Sequence, residues 1–406
     1  MMTSPIRLVA PASLAMALTL GLAACTPAAP AAPAKPTSAP AAQPTAAPAA
    51  KAEPAAKAEP AAKPAAPAAN AEWDRVLAAA KGEKLVIASM PGENDQRLMT
   101  AFKQAYPEIA VEHTGARPSD FSPKLITEQQ NGVYAWDVME STGTSNMHEV
   151  LLGADAFQEF APFIVNSEIL DDSKWGTGAR MFSSPTKQHI FLHEISISND
   201  LYVNREKVSK DELNSLDDLL DPKWQGKIVV DDCTVAAQGA STLLGIWQAR
   251  GPDFVRKLLT DQKPVFQETV RVTTEWTATG RYPIGIGVSQ PELRRLQNDG
   301  VGKSLEVIEY GGGNPAAAGV AVFKNAPHPN AAKVFVSWFL SQKGQEAWTE
   351  AWNAPVPRNS RRLDVPVKNQ TSYPDYTKLG QLAIWGTESG SGLIKQLLTM
   401  CKEARG

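Results

Sequence analysis

Polar side chains gather where apolar runs end. After KLVIASM come Ser89, Met90 and Glu93, and after AWDVM come Glu140, Ser141, Thr142 and Thr144. Farther along, DDCTVAAQGA supplies Asp231, Asp232 and Thr234 with small residues around Ala236, and GIGVSQPELRR supplies Ser289 and Gln290. Hydroxyls, carboxylates and open amides at helix starts suit hydrogen bonding to a small polar or anionic solute. A helix N-terminus attracts an anion by typically about 0.3–1 kcal/mol. Each of these residues also suits helix capping alone, so they outline a site as a set rather than singly. His189 and His193, followed by Glu194, share a face at a spacing of four. They lack the helix-borne acid of zinc motifs and read as ordinary histidines on a strand, with His193 in reach of a ligand. Tyr202, Tyr282 and Tyr310 are isolated phenols, and Trp276 is the tryptophan best placed for stacking on a solute. A Gly-x-Ser-x-Gly elbow, a metal-ligand cluster and a paired-acid motif are all missing from the sequence, which argues against an enzyme. No cofactor is expected.

The elements that must position these residues alternate. AEWDRVLAAAKGE reads as a helix and KLVIASM as a buried strand closed by Pro91-Gly92. Leu98, Phe102, Ala105 and Tyr106 have helical spacing, and YPEIAVEHTG is the next strand. FSPKLITEQQNG repeats the helical period before the short strand AWDVMES. Such alternation implies a parallel sheet with helices packed on it. HIFLHEISISNDLYVN alternates at strand period, and LDDLLDPKWQGKIVVDDC leads through a turn into a buried strand, opening a second α/β unit. Helices through GASTLLGIWQA, FVRKLLTD and PELRRLQNDG follow, then strands at SLEVIEYGGG and AAGVAVFKN. Near the end, Val334, Phe335, Trp338 and Phe339 lie at core spacing in a helix that opens after Pro327-His328-Pro329. His328 there is punctuation, held between two residues that restrict the turn.

Two compositions share the 406 residues. Residues up to about Asn70 are mostly Ala and Pro and cannot bury a core, whereas the remaining 336 or so exceed the size at which single cores stop growing. Two lobes are therefore expected. The net charge is −3; Arg7 and the tether lysines, less Glu53 and Glu59, contribute three positive charges before residue 71, so the folded part carries −6. That balance, without a Lys/Arg block, excludes a nucleic-acid partner. MMTSPIRLVAPASLAMALTLGLAAC has the layout of an export signal over residues 1–24. Residues 26–70, with KAEPAA twice, form a low-complexity tether of at most about 140 Å in polyproline form. Cys233 and Cys401 are free to pair in an exported protein, although buried thiols are the plainer reading.

Leu22-Ala23-Ala24-Cys25 resembles a bacterial lipobox, which implies lipidation at Cys25. Seven pieces in order carry a wider resemblance: KLVIASM with AYPEIAVE, AWDVMES, SNDLYVNREKV, LDDLLDPKWQGKIVV, ATGRYPIGIGV, KNAPHPNAAKVFVSWFLSQKGQEAW and APVPRN. Together they resemble the type 2 periplasmic solute-binding proteins that feed ABC importers, in the branch with ferric-iron, polyamine and thiamine binders. The resemblance implies an α/β fold of two lobes joined by two hinge-crossing strands, with solute between them. Lobe 1 would comprise 71–198 and 305–406, and lobe 2 199–304. The crossings would fall near 196–204 and 305–323. Ligands on open α/β sheets sit beyond the carboxyl ends of the strands. Ser89, Glu93, Ser141, Thr142, Thr144, Asp232, Thr234, Ser289, Gln290 and Tyr310 are the expected solute-facing residues. Ferric binders of this branch usually carry adjacent tyrosines where this chain has Gln290-Pro291, which points to a polar organic or anionic solute, with a ferric complex as one candidate. The implied partners are a small-molecule solute, an ABC permease and the membrane reached through the lipid anchor, at the outer face of the cytoplasmic membrane or in the periplasm. The protein itself is expected to be a monomer. A sensory protein that presents ligand to a receptor is the alternative, and an enzyme on a similar fold a more distant one.

Overall fold

The computed structural model describes residues 67–406 apart from 311, 312, 355, 380 and 381. The export signal, Cys25 and nearly all of the predicted tether lie outside the described residues. The first helix, Pro67–Ala80, begins inside the stretch read as tether. Ten strands are present among the described residues, in two five-stranded sheets. The first contains β1 (Lys84–Ser89), β2 (Ala110–Gly115), β3 (Val138–Ser141), β4 (Ile190–Ser198) and, late in the chain, β10 (Asn314–Val322). The second contains β5 (Leu201–Asn204), β6 (Ile228–Asp231), β7 (Val265–Gln267), β8 (Ile284–Ile286) and β9 (Leu305–Val307).

The first sheet runs in the order β2-β1-β3-β10-β4, with β1 parallel to β2 and β3, and β10 antiparallel to β3 and β4. Leu85 to Ser89 are all buried, as a strand covered on both faces requires. The helix Glu93–Ala105 packs Leu98, Met99 and Phe102 on one side, and Phe102 meets Phe335 and Trp338 at ring distances of 5.2 Å. His328 stands at the N-cap position of the helix Pro329–Phe339. Its main-chain N–H and Nδ1 both approach the buried Asp137 carboxylate, at 2.8 and 3.0 Å, and the Val86 N–H donates to the same group at 2.7 Å. The histidine thus locks a connector against the strand bundle.

The second sheet repeats the scheme in the order β7-β6-β8-β5-β9, with β6 parallel to β7 and β8 and β5 antiparallel to β8 and β9. It has its own core around Leu201, Val230, Leu243, Leu244 and Ile284. The chain passes between the sheets where β4 leads into β5 through Asn199 and Asp200, and again where β9 leads to β10.

One boundary is corrected by the packing. The C-terminal helix Glu388–Arg405, expected with the first lobe, begins there: the Glu388 N–H donates to the Ser183 carbonyl at 2.8 Å, and Ser184 donates to the Glu388 carboxylate at 2.5 Å. It then buries Ile394, Leu397, Met400 and Cys401 in the second core. Cys401 is joined to Cys233 by a disulfide, with Cα atoms 5.7 Å apart. Two cysteines far apart in sequence are therefore a covalent fastening rather than separate thiols, because the final helix returns to the turn after β6.

Candidate functional site

A cleft of about 480 Å³ opens between the two sheets. A hollow of similar size, about 510 Å³, lies beside Trp247, Gln248 and Leu393, but charged groups from both lobes do not converge on it. In the cleft they do. β4 contributes Glu194, Ser196 and Ser198, and the first crossing contributes Asn199 and Asp200. The second lobe adds Tyr202, Gln238, Ser289, Gln290 and Arg294, and Glu309 comes from the second crossing. The first lobe closes the other side with Arg358, Asn369, Thr371 and Ser372.

Local sequence explains several of these placements. Gln290 and Pro291 open the helix Gln290–Asn298, whose N-cap Ser289 spends no side-chain hydrogen bond on the helix. Arg294 follows Gln290 by one turn and so lies on the same face. Gln238 is the first residue of the helix Gln238–Arg250. Asp231 caps that helix by accepting from the Gly239 N–H at 3.1 Å. Glycine is required at 239, because an added Cβ would lie 2.0 Å from the Asp231 carbonyl oxygen.

The charges are held in an unusual balance. Arg358 pairs with the almost wholly buried Glu194, whose Oε1 has no partner among the described residues. Burial pushes the Asp200 carboxyl up to about 6, although hydrogen bonds from Ser198, Gln238 and Gln290 favour its ionised form. Burial likewise raises the Tyr202 phenol to about 12, with the Asp200 charge adding to the effect. Tyr202 therefore faces the cleft as a neutral hydroxyl. Behind Glu194 lies a more deeply buried group. His193 packs edge-on against Phe339 and Trp348, each at 4.8 Å, with Nε2 3.2 Å from Glu140 Oε1. Burial drives His193 down to about 3, so the imidazole is neutral, while Asp95 and Glu140 are both raised, chiefly by burial.

The structure brings Ser289 and Gln290 together in the cleft and leaves the other expected residues outside its lining. Ser89 is buried with Oγ 2.7 Å from His113 Nε2, Ser141 Oγ accepts from the Gly143 N–H at 3.0 Å, and Thr144 donates to the Ala317 carbonyl at 3.0 Å. Glu93 is exposed and pairs with Arg97, and Thr142 is half-buried. Asp232 accepts from both the N–H and the hydroxyl of Thr234, at 2.8 and 2.7 Å, and pairs with Arg405 of the C-terminal helix at 3.5 Å. Tyr310 is buried, its hydroxyl 3.3 Å from the Ser198 carbonyl. Trp276 stacks on Tyr282 at 5.4 Å beneath the Arg281 guanidinium rather than on the cleft. Tyr202 and Tyr310 thus both lie near Asp200, and Tyr282 stands apart from them with Trp276. Strand alternation was the signal for Glu194, Ser196 and Ser198, which share one face of β4. Arg358 and Asn369 come from irregular chain with no periodicity to read.

Over residues 97–375 the chain matches the family of bacterial extracellular solute-binding proteins. It belongs to that family, and it is a solute-binding protein with the two-lobed fold of the periplasmic binding proteins. Solved structures with that fold include a Trichodesmium protein, IdiA or FutA, in complex with iron and citrate ligands (TM-score 0.58, 17% identity, 79% of this chain and 99% of the other). Iron-bound HitA from Pseudomonas aeruginosa is similar at TM-score 0.56 and 15% identity, over 79% of this chain and 99% of the other. AfuA from Actinobacillus pleuropneumoniae, with fructose-6-phosphate bound, is similar at TM-score 0.54 and 19% identity, over 80% and 98%. An uncharacterized protein of Haemophilus influenzae is 25% identical over 218 residues, which span 50% of this chain and 60% of that relative. No helix among the described residues is long and apolar enough to cross a membrane.

Proposed function

We propose that this chain is the solute-capturing component of an ABC importer: it closes its lobes on a small polar, anionic organic solute and hands it to a membrane permease. The observation that carries this reading is the meeting, in one cleft, of Arg294 and the open helix start at Ser289-Gln290 from one lobe with Arg358 from the other. The helix start and both guanidiniums favour negative charge. The amides and hydroxyls of Asn199, Gln238, Asn369, Thr371 and Ser372 surround that centre with hydrogen-bonding groups, the composition of a site that orients a polar ligand. Ser289, Gln290, Arg294, Arg358 and Gln238 are the residues assigned to solute.

A ferric complex with an organic acid is the second reading. The iron and citrate bound by the Trichodesmium protein favour it, and Tyr202, the one tyrosine among the described residues lining the cleft, supplies too few phenols to hold a bare ferric ion. Export under the N-terminal signal, lipidation at Cys25 and a monomeric state complete the proposal. Sensory presentation would use the same closing cleft and differ only in the membrane partner.

The test is a thermal-shift screen of the full chain against citrate, ferric citrate, fructose 6-phosphate, inorganic phosphate and spermidine. A solute at a hundred times its dissociation constant stabilises by about 2.7 kcal/mol. Stabilisation by an anionic member, lost in Ser289→Ala/Gln290→Ala, is expected. Stabilisation by spermidine alone, or conversion of any solute to product, refutes the reading.

A further inference from the structure

Asp200 belongs to the hinge by position and to the cleft by contact. It lies in the connection between β4 and β5, and its main-chain carbonyl accepts the N–H groups of Gly287 and Val288 at 2.9 and 3.0 Å. Those two residues lead directly into Ser289 and the helix Gln290–Asn298. Its side chain gathers the rest of the same wall: Gln238 Nε2 donates to Asp200 Oδ2 at 2.6 Å, and hydrogen bonding from the side chains of Ser198 and Gln290 favours the ionised form of the same carboxylate.

The direction of these bonds has chemical content. An ionised carboxylate only accepts, so a glutamine that bonds to it must offer its NH2 group. Each amide is then turned with its carbonyl oxygen away from Asp200. Gln238 and Gln290 both line the cleft, so the wall beside Arg294 shows amide oxygens where freely rotating glutamines would show either end. Glu194 and Glu309 add further acceptors around the same space. A solute that fills it without hydrogen-bond donors leaves these oxygens facing oxygens, and an unsatisfied polar group removed from water loses roughly tenfold to a hundredfold in affinity.

Resting on the proposed cleft, we propose that Asp200 is a specificity-determining residue: it fixes the orientation of Gln238 and Gln290, so that the cleft selects an anion that also carries hydroxyl groups over one of the same charge and shape without them. The anionic group goes to Arg294, Arg358 and the helix start, and the hydroxyls donate to the two amide oxygens. Asp200 itself is a positioning residue, acting through the glutamines.

Two measurements on the full chain test this. The first records the side-chain amide resonances of Gln238 and Gln290 by nuclear magnetic resonance in wild type and Asp200→Asn. An asparagine of the same shape offers both a donor and an acceptor, so the glutamine amides lose their fixed orientation and their resonances move. The second measures affinities for two matched pairs, citrate against tricarballylate and glycerol 3-phosphate against propyl phosphate. The hydroxylated member is expected to bind at least about tenfold more tightly to wild type, with the ratio falling towards one in Asp200→Asn and affinity for the plain anion largely kept. Equal ratios in both proteins, or glutamine resonances unmoved by the substitution, overturn the proposal. Should Asp200→Asn fail to fold, Gln238→Met serves the affinity arm, and an unchanged ratio there is equally adverse. Failure of all four solutes to bind overturns the selection of hydroxylated anions, and only in company with a blank thermal-shift screen does it also remove the cleft reading.

Discussion

Removing the Cys233–Cys401 disulfide should cost a large share of the stability while leaving the cleft lining untouched. The bond closes a loop of 168 residues. In chain-entropy terms such a loop restricts the unfolded state by about 5 kcal/mol at 25 °C, with native-state relaxation reducing the realised value to about 3–5 kcal/mol. Both cysteines are buried in the second core, so the double variant Cys233→Ala/Cys401→Ala removes the link without leaving hydroxyls in an apolar site. Unfolding entropy scales at about 2.1 cal/mol/K per residue, which for a domain of this size gives a fall in melting temperature of about 4–7 °C. Scanning calorimetry and urea unfolding measure it, and the urea slope should rise because the unlinked chain exposes more surface when denatured. Peptide mapping without reductant should recover the two cysteine peptides joined in the wild type. A double variant that melts within about a degree of wild type, or peptides recovered separately, would refute the argument.

Three further outcomes follow from the same packing. Burial holds the Asp200 carboxyl at about 6, above its unfolded value, so the folded state binds the extra proton between those values. Its contribution is fully present at low pH and disappears as pH rises through about 6. The change is worth about 3 kcal/mol, and urea midpoints of wild type should fall more steeply across that window than those of Asp200→Asn. Equal slopes contradict the assignment. Gly239→Ala places a methyl group against the Asp231 carbonyl and should lose at least about 3 kcal/mol, read from the same midpoints; a neutral result would show that the helix start shifts easily. Arg358→Met leaves the buried Glu194 carboxylate without its partner. It should destabilise by about 3 kcal/mol, read from the same urea midpoints; a midpoint unchanged from wild type would mean that the ion pair contributes nothing to the fold.

The lobes were legible because apolar runs of strand length alternated with helical patterns, and KLVIASM, AWDVMES and KIVVDD are strands in the structure. The long alternating segment from His189 read as one stretch, and the structure breaks it at Asn199-Asp200, the place where the chain changes sheets. The three-residue strand β7 and the C-terminal helix Glu388–Arg405 escaped notice. The first is too short to show a period, and the second opens with ESGSG, whose glycines and serines mask the apolar spacing that follows. Of the ten expected solute-facing residues, two line the cleft. Ser289 and Gln290 stood at a strand-to-helix turn, a local arrangement, and they reach the cleft. Ser89 and Thr144 stood at similar turns but are consumed by a histidine and a main-chain carbonyl that only the folded sheet supplies, and Ser141 is taken up locally by the Gly143 N–H. Arg358 meets Glu194 across 164 residues, a separation at which no local pattern exists.

The central claim is capture of a polar anion between the lobes, and titration calorimetry of the full chain against the anions of the screen tests it most directly. One solute per chain should bind, at about micromolar affinity or tighter, with at least a tenfold loss in Gln238→Ala/Gln290→Ala and little change in Thr142→Ala, which lies outside the cleft lining. Binding unaffected by the glutamine substitutions, or abolished by Thr142→Ala, would contradict the account and move the site to the turn after β3.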